Sequence, residues 1–215
     1  MIRIAIADDH KLVRKSLSLL LSTSEALEVV AEASDGIELL EVLKHTPIDT
    51  LLLDLQMPNM DGFETAKIVN QLYPDIKILV LTMMDDNNTI RRVIEYVDGF
   101  YTKNTDPEEL ENAILKLHKS GFYFERSFAE ISKGLLIDSS KEPLTKEFTE
   151  REREILILTA RELSNKEIAE ELHISKRTVD RHKEIMRETY KTRNFTGVIM
   201  IALKYGYLSM NDIIV

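Results

Sequence analysis

Five short apolar runs, separated by helix-like segments, leave the first 120 residues few folds to choose from. "IRIAIA" (2–7), "EVVAEA" (28–33), "TLLLDL" (50–55), "KILVLT" (77–82) and "GFYTK" (99–103) read as strands. Helical patterns fall near 10–22, 36–45, 62–73, 86–96 and 107–119; Pro107 suits a first helical position and Gly121 a stop. This alternation predicts a parallel sheet with helices on both faces. Five strands predict an α/β doubly wound, flavodoxin-like domain with strand order 2-1-3-4-5. The middle run shows no polar alternation, so it reads as a strand buried on both faces. A carboxylate there is costly, so Asp54 must sit at the strand's end, against something.

Charge separates the chain into two unlike parts. Residues 144–215 carry 13 Lys and Arg against 12 acids, whereas residues 1–143 carry 15 against 25. The overall −9 therefore does not exclude a nucleic-acid partner for the C-terminal part. With no cysteine, disulfides, thiolate metal sites and cysteine nucleophiles are excluded. No apolar run reaches membrane-spanning length and the N-terminus lacks a signal pattern, so no membrane association and a cytoplasmic location are expected.

Composition shifts over 126–148, where "DSSKEP" reads as a joint. The predicted division is residues 1–122, a linker over 123–146, and a second domain over 147–215. The second domain reads as small and all-α. Thr149 with Glu152, and Ser164 with Glu167, have capping-box spacing. Ser175 is a further N-cap before a helix to about Tyr190, and a last apolar helix runs from about Phe195 to Tyr205, stopped by Gly206.

In a doubly wound sheet, ligands gather beyond the carboxyl ends of the strands. The predicted strand order brings Asp8, Asp9, Asp54, Thr82 and Lys103 together there. Three carboxylates repel one another and need a cation, and hard oxygen donors with room for water suit Mg²⁺. Asp54, on the central strand, is the candidate nucleophile for an acyl phosphate, with Mg²⁺, Lys103 and Thr82 facing the phosphoryl oxygens. A single Asp at a strand end is commonly a turn residue; matched chemistry at four strand ends is not commonly met by chance.

"IADDH" (6–10), "LLLDLQMPNMDG" (51–62), "VLT" (80–82) and "FYTK" (100–103) together resemble the response-regulator receiver domains. The resemblance implies that Asp54 is the phosphoacceptor, charged by a sensor histidine kinase or a small phosphodonor. It implies that Asp9, Asp54 and the Gln56 backbone carbonyl hold Mg²⁺, with Asp8 acting mainly through water. It makes Phe100 the switch aromatic and the Asn59–Gly62 loop one wall of the site. Met83 departs from the family, where a small residue is usual. So do Tyr96 and Val97, which suit either core filling or a dimer surface.

"SNKEIAEELHISKRTVDRHKEIMRETY" (164–190) holds two helices and a short break. Ile168, Ala169, Leu172, Ile174, Val179 and Met186 can pack together, leaving Arg177, Asp180, Arg181 and Glu184 on the opposite face of the second helix. Lys176, His182, Lys183 and Arg187 flank that face. A helix-turn-helix presents such a face to the DNA major groove, although a solvated face of a small bundle shows the same pattern. Residues 174–193 carry seven basic against three acidic side chains. "FTEREREILIL", "LSNKEIAEELHIS" and "RTVDRH" resemble the LuxR-type DNA-binding domain, and the whole chain resembles NarL/FixJ-type transcriptional regulators. On that resemblance Lys166, Thr178, His182 and Lys183 hold the DNA backbone, and Asp180, Arg181 and Glu184 face base edges. Glu162 and Lys191 stand where the family often has glycine. Phosphorylation would release the second helix and pair the chain as a homodimer through 198–205. An aspartyl phosphotransferase would need an acid two residues after its nucleophile, where this chain has Gln56. Substrate turnover is therefore not expected. A regulator acting through protein contacts alone is the other alternative, motivated by the acids at Asp180 and Glu184.

Overall fold

The structure is a computed structural model, and it describes residues 1–82, 92–102, 109–124, 146–209 and 212. Six parallel strands form one sheet: β1 (Ile2–Ala7), β2 (Leu27–Ala33), β3 (Thr50–Leu53), β4 (Lys77–Thr82), β5 (Gly99–Thr102) and β6 (Tyr123–Phe124). Their order is β2-β1-β3-β4-β5-β6. The first five follow the order expected from sequence. The two-residue β6 extends the edge from a position that the sequence assigns to the linker.

Helices α1 (Lys11–Leu21), α2 (Gly36–Leu43), α3 (Gly62–Leu72) and α4 (Glu109–Ser120) cover the sheet. Alternation explains why the strands read as unbroken apolar runs. Ala5, Ala7, Leu51, Leu53, Ile78 and Val80 face one core with Leu39 and Leu43 of α2 and Ala66 and Val69 of α3. Ile4, Ile6, Leu52, Leu79 and Leu81 face the other, with Leu21 of α1 and Leu110, Ile114 and Leu117 of α4. Both faces are dry, so both sets of side chains must be apolar. Residues 83–91, and with them Met83 and most of the helix expected over 86–96, lie outside the described residues.

The second domain comprises α5 (Glu150–Ala160), α6 (Asn165–Glu171), α7 (Lys176–Thr189) and α8 (Phe195–Lys204). Both predicted capping boxes form reciprocally, at Thr149 with Glu152 and at Ser164 with Glu167. Ser175 accepts from Thr178 N–H at the start of α7. Ile168, Ala169, Val179 and Met186 lie in one core with Ile155, Leu156, Val198 and Ile199, and Leu172 and Ile174 pack on its margin. Most apolar residues of α8 therefore fill this core. Only part of the helix is left to offer a partner.

Glu162 and Lys191 adopt φ of 63° and 54°. These are left-handed positions that glycine holds without a Cβ penalty. Lys191→Gly is expected to raise the urea midpoint of the full chain, by about 0.5–1 kcal/mol of stability.

Candidate functional site

Backbone pairing continues past the strand ends and sets up the acidic edge. Asp8 N–H donates to Ala33 O at 3.1 Å, and Asp54 N–H donates to Ala7 O at 2.8 Å. Asp54 is thereby held beside Asp8 at the carboxyl end of β3. Both are buried, at 5% and 1% exposure, while Asp9 is exposed. One ligand atom each of Asp8, Asp9, His10 and Asp54 lies within 4.8 Å of the others. His10 N–H donates to Asp8 Oδ1 at 2.7 Å, and its ring Nδ1 lies 2.6 Å from Asp9 Oδ1 and 3.5 Å from Asp8 Oδ1. The Arg14 guanidinium donates to the Asp8 carbonyl and lies 3.5 Å from Glu32. Convergent carboxylate oxygens on a solvent-reachable edge are the donor set that Mg²⁺ requires. The acids of this chain fit a hard divalent ion.

Gln56 is exposed just after Asp54, its N–H 3.4 Å from Asp54 Oδ1. The loop from Met57 to Asp61 then folds back over the strand end. Gly62 N–H donates to Leu55 O at 3.0 Å and Gly36 N–H to Met60 O at 3.2 Å. Asn59, at φ 61°, donates through Nδ2 to Asp35 Oδ2 at 2.7 Å. Asp35 also caps α2 by accepting from Glu38 N–H at 2.8 Å. That backbone donor first, and Asn59 second, hold the Asp35 carboxyl below its ordinary range. His10, Arg14 and Asp35 are absent from the residues singled out by sequence. The Asp-x-x-Glu spacing of Asp35 and Glu38 is the signal that identifies one of them.

Thr82 ends β4, and Thr102 of β5 is its register partner. The Thr82 side chain and the whole of Lys103 lie outside the described residues. Phe100 is buried at 4% exposure in the core beneath the acidic edge. Val97 is fully buried in the same core, whereas Tyr96 is partly exposed. Of the two alternatives for this pair, Val97 takes core filling, and Tyr96 meets the second domain, with the Arg193 guanidinium 4.7 Å from its ring centroid.

That contact belongs to a docked interface between the domains. Asn194 Nδ2 donates to Val97 O at 2.7 Å and Thr196 Oγ1 to Asp98 O at 3.4 Å. Lys116 pairs with Glu162 at 2.8 Å and Lys119 with Glu167 at 3.0 Å. Met200 of α8 packs against both the sheet core and the helical core. The candidate DNA face is only partly open as a result. Lys166, Lys176, Arg177, Arg181, Glu184 and Arg187 are exposed, and Thr178, Asp180 and His182 are half-buried. The Asp180 carboxylate accepts from Asn165 at 2.6 Å and lies 3.4 Å from Lys176. Lys183 is buried, its ammonium 4.7 Å from the Phe195 ring centroid, in a cleft shared with Lys77 and Asp98.

Burial pulls the Lys183 ammonium down to about 7, with Asp180 opposing the shift and Lys77 adding to it. Once exposed, a lysine titrates near 10.4. Between those values the docked form binds fewer protons than the opened one, so docking strengthens as pH rises through that window and is weakest below it. Small-angle scattering of the unphosphorylated chain is expected to show compaction between about pH 7 and about pH 9. Lys183→Met should remain compact across that range. Equal pH responses in the two proteins would exclude Lys183 as the source.

Two family models match the chain. The response regulator receiver domain matches residues 4–115, and the LuxR family of bacterial regulatory proteins matches residues 146–202. The chain is 36% identical over 213 residues to the oxygen regulatory protein NreC of Staphylococcus epidermidis, covering 94% of this chain and 97% of that protein. It is 35% identical over 209 residues to the uncharacterized transcriptional regulatory protein YhcZ of Bacillus subtilis, covering 95% and 96%. Among solved structures, an RcsB–DNA complex aligns at TM-score 0.59 with 25% identity, over 97% of this chain and 99% of that one. The isolated receiver of RcsB from Salmonella enterica with a beryllofluoride phosphomimetic aligns at TM-score 0.57 with 28% identity, over 60% and 97%.

Proposed function

Since the chain belongs to the response regulators that join a receiver domain to a LuxR-type DNA-binding domain, we propose that it is a transcriptional regulator switched by phosphorylation of Asp54. The observation that carries this reading is the approach of Asp8, Asp9 and Asp54 at one strand edge, in a chain that also holds the capped two-helix unit of α6 and α7. The proposed division is a receiver over 1–122, a linker over 123–146 and a DNA-binding domain over 147–215.

The Asp54 carboxylate attacks the phosphorus of a histidine-kinase phosphohistidine or a small acyl phosphate. The donor's P–N or P–O bond breaks as the aspartyl phosphate forms. Asp9, Asp54 and the Gln56 carbonyl, with Asp8 through water, would hold Mg²⁺, which would supply charge neutralisation for the phosphoryl oxygens. Thr82 and Lys103 contact the phosphoryl group, and Phe100 couples that contact to β5. Gln56 offers no general acid, which supports a stored phosphate rather than substrate turnover. The burial of Lys183 supports a docked, inactive form, because that residue cannot reach a DNA phosphate there. Opening frees Lys183 to join Lys166, Thr178 and His182 on the DNA backbone. It also presents Asp180, Arg181 and Glu184 to base edges, flanked by Lys176, Arg177 and Arg187. Acids there suit cytosine N4 donors. Pairing of two chains through the half-buried residues of α8 matches two half-sites. The location proposed is cytoplasmic; among the described residues no helix is long and apolar enough to cross a membrane.

Selection of duplexes from a random pool, with the beryllofluoride-treated chain in Mg²⁺, tests this reading. The treated form is expected to bind its selected sequence about tenfold more tightly than the untreated form. Failure to select any sequence, with the fold intact, would leave the protein-contact alternative in its place.

A further inference from the structure

We propose that the cleft between the two domains is a binding site for a small phosphate-bearing anion, held by Lys183 and Arg187 of α7, and that its occupation keeps the chain docked. The site is separate from the acidic edge and needs no phosphorylation of Asp54.

The cleft has a volume of about 610 Å³, the size of a small-ligand pocket and far too small for a duplex. Most charged groups along it already have partners. Lys77 lies 3.2 Å from Asp98, which also accepts from Ile78 N–H at 3.0 Å. His118 Nε2 lies 2.6 Å from Thr50 Oγ1, and Lys119 is paired with Glu167. Asp180 is taken by Asn165 and Lys176. The remaining acids that line the cleft, Asp75 and Glu184, are exposed, so water and salt screen them.

Lys183 is the exception. Only 9% of it is exposed, yet among the described residues its ammonium has no hydrogen bond and no carboxylate at ion-pair distance. It faces the Phe195 ring, 4.7 Å from the centroid, which attracts a cation but carries no counter-charge. Arg187 follows one turn later on the same side of α7. It lines the same cleft and, among the described residues, has no ion-pair partner either. Lys77 adds to the positive field around Lys183 from the first domain.

A buried ammonium without a counter-charge either gives up its proton or gathers an anion. The first course is the pH-dependent docking described above. The second calls for a small anion with several acceptor oxygens. Phosphate has them: lysine meets it as a point charge, and arginine through paired N–H donors. The attraction is stronger in the covered cleft than on an exposed, hydrated helix. The anion therefore binds the docked form better and shifts the chain toward it. On the reading that Lys183 grips a DNA phosphate when the domains open, the anion and DNA compete for one ammonium.

Titration calorimetry of the unphosphorylated full chain, without Mg²⁺ or DNA, tests the site with sodium phosphate against sodium chloride at matched ionic strength. At about pH 7, phosphate affinity is expected to fall about tenfold in Lys183→Met and about threefold in Arg187→Ala. Lys67→Met removes the same charge from an exposed position of α3 outside the cleft, and should change affinity by less than about twofold. Small-angle scattering at about pH 6.5, where docking is weakest, should show phosphate compacting the native chain and leaving the already compact Lys183→Met unchanged. Adenosine 5′-monophosphate in place of phosphate separates the sources of the anion: tighter binding assigns a phosphate ester, and equal or weaker binding the free ion. Equal phosphate affinity in the native chain and Lys183→Met would overturn the site. Phosphate binding that leaves the native scattering unchanged would overturn its hold on docking. Neither result touches the reading of Asp54.

Discussion

Asp54→Asn incubated with acetyl phosphate and Mg²⁺ will show no phosphoryl adduct by intact-mass spectrometry, under conditions that label the native chain. Asparagine preserves the shape and burial of the side chain, so the 5%-exposed pocket and the Asp54 N–H bond to Ala7 O are retained. What it removes is the anionic oxygen proposed to attack phosphorus. The effect is all-or-none because no other carboxylate can take over in place. Asp8 is oriented by the His10 N–H, and Asp9 is drawn to the His10 ring. Chelating Mg²⁺ from the native chain should depress labelling as well, because the clustered acids would then meet the donor's charge unscreened. Persistent labelling of Asp54→Asn would place the acceptor elsewhere. Loss of labelling with urea unfolding unchanged would tie it to this side chain.

Gly62→Ala is expected to cost about 3 kcal/mol or more of stability and to depress phosphorylation with it. A Cβ at Gly62 would sit 2.1 Å from the Asp54 carbonyl oxygen and 2.6 Å from Leu55 Cα. Both are backbone atoms of the segment that carries Asp54, so neither can rotate away. Either the start of α3 lifts off the sheet or the end of β3 moves, and each displaces Asp54. Gly36→Ala is an instructive comparison. Its Cβ would meet Thr65 Oγ1 at 2.0 Å and the Met60 side chain at 2.7 Å. Side chains can partly yield, so a smaller loss is expected, about 1–3 kcal/mol. Urea unfolding of the two variants, with equal m-values, would rank them; a Gly62→Ala chain as stable as the native one would show that α3 is not seated as tightly as this geometry requires.

Much of this architecture is legible in sequence because its causes are local. The strands announce themselves by apolar runs, and the capping boxes at Thr149 and Ser164 by a spacing of three residues. The acidic edge follows once strand order is known, since order decides which strand ends are neighbours. What was not legible depends on contacts between distant residues. The two residues of β6 carry too little pattern to mark a strand, and only the free edge of β5 makes them one. The bond from Asn59 to Asp35 spans 24 positions. The Asn194 bond to Val97 O spans 97. Lys183 reads as a solvated cation on a helix face until the other domain covers it. Even the apolar pattern of α8 is ambiguous in sequence, because a core helix and a partner-binding helix share it.

The tether at Val97 and Asp98 has a consequence for how the signal travels. Those carbonyls are grasped by Asn194 and Thr196, and the chain enters β5 at the very next residue, with Phe100 one further on. Phe100, the proposed switch aromatic, and the clasp thus share five consecutive residues, Tyr96 to Phe100. Under the proposed switch, a signal can cross from one domain to the other through space at this short backbone segment, beside the Lys116–Glu162 and Lys119–Glu167 pairs, and need not follow the covalent thread between them. That thread sets how often the domains meet, as an effective concentration, rather than what they say to each other. A change in residues 96–100 therefore acts directly on residues 193–196, which they contact.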